Sequence, residues 1–254
     1  MLTSPPDRVA VFQRSKILAA YIVHAMAWPP PDLTPIILDG WSDDDRDGFI
    51  QKFDQVSRSI RDSLESSGLW ADTTPQERAF FETRLLDRTM QQFLSAAWSM
   101  EALACCLWAL GLLPEIPPYD AQSSVLDRVP KGDVSELGES RSAAEIERAR
   151  SVAELWHWRS RSRQLQDQGH TMPPLPGGHT LDDIFRLAAE KAAAAGDIAA
   201  SCGGDLPAFG KPYRELSPEE VSLVALIAGE RHKALNWLCG FAPNNQWDQT
   251  PTDA

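Results

Sequence analysis

Residues 217–253 read SPEEVSLVALIAGERHKALNWLCGFAPNNQWDQTPTD, and this stretch decides the fold. Ser217-Pro218-Glu219-Glu220 is a capping box, with a hydroxyl at the N-cap, proline at the first helical position and a carboxylate at the third. It opens a helix that should run to about Leu238 and stop at Gly240, with Pro243 beyond. At about 100° per residue, Val224, Ile227, Ala234, Leu235 and Leu238 fall on one side, with Arg231 at its centre. His232 and Asn236 share another flank. A guanidinium centred on an apolar stripe is costly unless a carboxylate pairs with it. Arg231 therefore requires an acid from elsewhere in the chain.

The complementary acid stands in the most apolar run, about Thr89–Leu110. Its stripe of Met90, Leu94, Ala97, Trp98, Cys105, Trp108 and Leu112 has Glu101 at the centre. A third centred charge, Arg14, lies among Val11, Ile17, Leu18, Tyr21 and Ala25 in a helix over Asp7–Ala27. The expectation is a structural ion pair between Glu101 and Arg231, with Arg14 as the next candidate base.

Further helices are expected from Ser42 to Gly68, from Thr74 with a break near Asp87–Thr89, over Ser142–Asp167, and over Leu181–Ala195. Residues 28–41 read as a Pro-rich connection, and 114–140 as a loop wrapping the surface. Residues 201–216 read as a Gly/Pro loop. The β-branched cluster Pro35-Ile36-Ile37-Leu38 is single and short, so no strand is expected. The fold class is all-α: a single-domain irregular bundle of about six to eight helices with long Pro/Gly loops, spanning 1–254. Pro173–Gly178 marks a possible weak boundary at 171–179.

A net charge of −12 without a basic stripe argues against nucleic acid or an anionic membrane as partner. The longest apolar run, Ala102–Leu113, is too short to span a bilayer. Cys105, Cys106, Cys202 and Cys239 have neither CxxC spacing nor disulfide-scaffold density, and MLTSPPDRVAVF lacks a signal pattern. A reduced cytoplasmic protein is expected, with Cys105 and Cys106 as core thiols.

The best polar constellation is Glu230, His232, Asn236 and Asp248, joined by His157 and Arg161. In an enzyme His232 is the general base, Glu230 or Asp248 its orienting acid, and Asn236 a ligand anchor. In a metal site His157, His232 and Asp248 are the ligands, although no metal is expected. In a structural network Asn236 and Asp248 fix the tail and Trp247 packs on the core. Trp247 is otherwise a ligand-contact candidate. Arg159, Arg161 and Arg163 read as a solvated helix face, with Glu136, Glu139, Glu145 and Glu147 upstream. HExxH, GxSxG and GxGxxG are absent, and Gly204–Lys211 departs from a phosphate loop. Two classes remain: a non-enzymatic interaction or accessory protein, and an enzyme or small-ligand binder using the Glu230/His232/Asn236/Asp248 cluster. The partner is a protein or a small molecule, and no cofactor is indicated.

WSMEALACCLWALG (98–111), Trp156-His157-Trp158 with Arg161, GERHKALNWLCG (229–240) and WDQTPTD (247–253) together resemble the bacterial DUF4272 family, over about residues 14–254. The family's pattern has Arg where Ser99 stands, and ends TDT where this chain ends Thr252-Asp253-Ala254. The resemblance implies a helical cytosolic protein and brings no established activity or cofactor.

Overall fold

The computed structural model describes residues 4–170 and 180–252. Eight α-helices dominate these residues: α1 (Arg8–Met26), α2 (Thr34–Asp39), α3 (Asp43–Ser66), α4 (Pro75–Glu82), α5 (Met90–Ala109), α6 (Ala143–Asp167), α7 (Leu181–Ala194) and α8 (Pro218–Leu238). The fold is an all-α bundle. Local sequence explains most helix starts. Thr74, Thr89, Ser142, Thr180 and Ser217 each accept from the N3 amide, and the N3 side chain returns a bond to the cap. The break before α5 is a short 3-10 turn at Leu85–Asp87 followed by the Thr89 cap.

The packing order is α1–α5–α8–α6, with α3 and α4 against α1 and α7 against α6. Because α1 and α8 flank α5, every residue from Ser99 to Ala109 is buried. Leu94, expected on the inward stripe, is instead 45% exposed, since the N-terminal half of α5 is covered only on the side of Ala96 and Phe93. Gly111 ends α5 at φ +77, with the Glu139 carbonyl so close that any Cβ would collide with it. That approach, with the Arg141 amide donating to the Ala109 carbonyl at 2.9 Å, pins the end of the long 114–140 segment to the core.

Three local readings are corrected. Residues 28–41 contain α2, which buries Thr34 and Leu38 and leaves Ile36 and Ile37 outside. Residues 201–216 contain a small antiparallel pair, β1 (Pro207–Ala208) and β2 (Lys211–Pro212), registered Pro207 to Pro212 and Ala208 to Lys211. Arg159 is not solvated: it is buried and paired. The boundary considered at 171–179 lies outside the described residues. Among those described, no helix is long and apolar enough to cross a membrane.

Candidate functional site

α5 and α8 bring Glu101 and Arg231 together at 2.7 Å, both side chains 0% exposed. Arg231 donates to Glu101 Oε2 from Nε at 2.8 Å and from Nη2 at 2.7 Å. The remaining lone pairs and protons are satisfied by the 114–125 segment. The Ser123 amide donates to Glu101 Oε1 at 2.6 Å and its hydroxyl to Oε2 at 2.8 Å, while Arg231 Nη1 donates to the Pro117 carbonyl. Tyr119 lies between Arg231, 4.8 Å from its ring centroid, and Trp156, with which it stacks at 4.8 Å and 9°. Burial raises the Tyr119 phenol. Each partner alone would be an uncompensated buried charge, and the loop supplies the further hydrogen bonds that such a pair needs.

Arg14, the alternative base for Glu101, pairs instead with Glu77 on α4 and lies 4.9 Å from the Trp247 ring centroid. The Glu77 carboxylate also accepts from the Thr74 amide at 2.8 Å, so the capping acid of α4 doubles as the counterion of α1. A third buried pair joins Arg159 to Asp205 at 2.9 and 2.8 Å, with Asp205 accepting also from the amides of Leu206 and Arg214. In all three pairs an aromatic ring covers the guanidinium; for Arg159 the rings are Phe185 and Tyr213.

His232 and Asn236 are in contact, with His232 Nδ1 and Asn236 Oδ1 buried without a hydrogen-bond partner among the described residues. Both are buried, and Asn236 Nδ2 contacts His232 Nε2 at 3.1 Å and donates to the Pro251 carbonyl at 2.8 Å. Asn236 thereby ties the tail to α8. The His157 and His232 ring centroids are 5.2 Å apart. Burial, and then the neighbouring His157, push the His232 imidazole down to about 4, so it is neutral at pH 7. Trp247 is buried edge-on against Trp237, 5.3 Å between centroids, and Trp237 Nε1 donates to the Asn245 carbonyl at 2.9 Å.

The other expected members lie elsewhere. Asp248 is exposed and lines a shallow cleft with Arg14, Trp237 and Trp247. Glu230 is half-buried, and no hydrogen bond reaches its carboxylate among the described residues; burial raises it, with Glu101 adding to the rise and Lys233 opposing. Arg161 is exposed and bonded to Gln164 at 3.0 Å. Among the described residues, no three His, Cys, Asp or Glu side chains are placed to hold a metal ion. Cys105 and Cys106 are fully buried and free, and burial pushes the Cys106 thiol up to about 12.

Among the described residues, one buried cation has no carboxylate partner. Arg88 is 7% exposed, donates to the His24 carbonyl at 3.2 Å, meets His24 Nε2 at 2.8 Å, and lies 4.5 and 4.2 Å from the Phe53 and Phe80 ring centroids. His24 is fully buried between Phe53 and Phe81. Burial and the Arg88 charge hold its imidazole down at about 3, and burial lowers the Arg88 guanidinium to about 10.

The family model described as "Domain of unknown function (DUF4272)" matches residues 9–175, well over half of the chain. The chain belongs to the DUF4272 family. The match to DUF4272 contains Arg14, His24, Glu77, Arg88, Glu101 and His157 but not Arg231, His232, Asn236 or Trp247. It stops short of the 229–240 and 247–253 segments, which carry part of the resemblance. No curated protein and no solved structure matches the chain.

Proposed function

We propose that this DUF4272 chain is a non-catalytic interaction or accessory protein, acting as one cytoplasmic domain. The observation that carries the reading is the outer face of α2. Leu33, Ile36, Ile37 and Trp41 are 46%, 70%, 39% and 39% exposed, three of them large aliphatics on one helical turn. Exposed large apolar side chains one helical turn apart support a docking site on this face. Asp32, Asp39, Asp43, Asp44, Asp45 and Asp47 are all exposed around it, while Arg46 is turned inward to the Leu38 carbonyl. The occupant that fits is a partner protein's amphipathic helix with a leucine-type face and lysine or arginine flanks. The four free cysteines support a reducing compartment, and the packing of α8 on both α5 and α6 supports the one-domain reading.

The enzymatic or ligand-binding alternative at Glu230, His232, Asn236 and Asp248 has less support. Asn236 is bonded to the tail, His232 is buried, and Asp248 lines a different cleft. The test is fluorescence anisotropy with a labelled Leu/Lys amphipathic helical peptide and its Leu/Glu counterpart. The reading predicts saturable binding of the Lys peptide only, weakened by salt and lost in Ile36→Asp. Equal binding of both peptides, or binding indifferent to Ile36→Asp, contradicts it.

A further inference from the structure

We infer that the cleft between the 114–120 loop and α6 binds a small organic amine with an apolar body. This inference concerns a different part of the molecule from the α2 surface and does not depend on it. The cleft encloses about 670 Å³, within the range of small-molecule sites, which are mostly apolar with a few placed polar groups. Trp108, Ile116, Val152, Trp156 and Ile198 line it. Tyr119 lines it too, stacked on Trp156 and with the Arg231 guanidinium 4.8 Å from its ring centroid.

Charge at the rim selects the ligand. The cleft is lined by Arg141 and Arg148 against Glu115, Asp120, Glu145 and Asp197. Both guanidiniums are already engaged. Arg148 pairs with Asp197, and Arg141 donates to the Leu113 and Pro114 carbonyls at 3.0 and 2.8 Å with Glu145 at 3.5 Å. Glu145 also accepts from the Ser142 amide and hydroxyl. That leaves two carboxylates on the loop. Among the described residues, Asp120 accepts only the Phe209 amide, at 2.8 Å, and Glu115 is exposed with no ion pair. An anionic ligand would find no uncommitted cation, whereas an ammonium group finds two acids beside an apolar box.

The loop is also held in place. The Asp120–Phe209 bond fastens it to the turn between β1 and β2, where Phe209 stands at φ +53, a left-handed conformation rare for a bulky residue. Strained backbone of this kind persists where surrounding structure fixes it and clusters at binding sites. Glu115 is therefore carried on a segment anchored at Pro117, Asp120 and Ser123, ready for a ligand rather than ordered by it.

The experiment titrates 2-phenylethylamine, 3-phenylpropionate and 2-phenylethanol into the full-length chain while following the methyl signals of isoleucine and valine by NMR. Saturable shifts at Ile116, Val152 and Ile198 are expected with the amine, and binding of the acid and the alcohol should be weaker by about tenfold or more. Val152→Trp should abolish the shifts by filling the box. Glu115→Gln, on an exposed side chain that the fold does not need, should weaken the amine severalfold while leaving the alcohol unchanged. Tighter or equal binding of the acid, amine affinity indifferent to Glu115→Gln, or no saturable shift with any of the three would overturn the inference.

Discussion

Arg231 and Arg88 are both buried arginines, and their surroundings differ in one respect. Arg231 faces a carboxylate that is itself bonded to Ser123, so the core holds a neutral, fully bonded unit. Arg88 faces a neutral imidazole, a carbonyl and two phenyl rings, and its charge is offset by dipoles and π faces alone. Burial lowers the Arg88 guanidinium to about 10, and burial together with the Arg88 charge holds the His24 imidazole down at about 3. A buried cation can be held without an anion when its neighbours are polarisable and neutral, but removing it then strands no opposite charge.

The largest consequence separates the two sites. Arg231→Met leaves Glu101 as an unpaired carboxylate in the core and should cost about 3–5 kcal/mol. Arg88→Met removes a desolvated cation from aromatic faces and should cost about 1–2 kcal/mol, the size of a cation–π contact with its hydrogen bonds. Urea denaturation of both variants measures this, and equal losses would erase the distinction.

Trp247→Ala tests the closure of the tail, which covers Arg14 and packs on Trp237. Loss of a buried tryptophan contact of this kind should cost about 3 kcal/mol. Deleting 246–254 should cost at least as much, since it also removes the Pro251 carbonyl from Asn236. An unchanged melting temperature would show that the tail does not close the core.

At neutral pH the smallest effect is that of the buried histidines, which shows only as the pH falls. Between the ordinary histidine value of 6.5 and about 3 for His24, the unfolded chain binds a proton that the folded chain refuses. Stability therefore falls as pH drops through that window, with each such histidine contributing up to about 1.4 kcal/mol per pH unit. His232, held at about 4, adds a second term over a narrower range. His24→Gln should flatten the acid limb by its own share, and superimposable limbs would mean that His24 is not held neutral.

Which of these charges could be read from the chain depends on where each partner resides. Glu101 and Arg231 each sit at the centre of a helical apolar stripe, so periodicity alone flags both. Arg14 is flagged in the same way, but Glu77 is hidden because its capping role already accounts for an acid at that position. Arg159 was masked by Arg161 and Arg163, although Arg161 lies about 200° around the helix from it, and its partner Asp205 comes from a turn without periodicity. His24 is off the central stripe of α1 and is buried because α3 and α4 cover a second flank, which no local pattern announces. Ser123, Pro117 and Tyr119 belong to a segment whose sequence indicates only a loop. The helices were legible because caps and stripes are local, whereas the site is assembled from loop residues that only tertiary packing places. Of the polar group Glu230, His232, Asn236 and Asp248, the structure brings His232 and Asn236 into contact, while Asp248 lines a separate cleft with Arg14 and Trp247.

The measurement closest to the central claim is a double-mutant cycle of Glu101→Gln and Arg231→Met by urea denaturation. The account predicts strong coupling: the double variant should be more stable than the summed single losses imply, by about 1–3 kcal/mol. Losses that simply add would mean that the carboxylate of α5 and the guanidinium of α8 do not act as one unit.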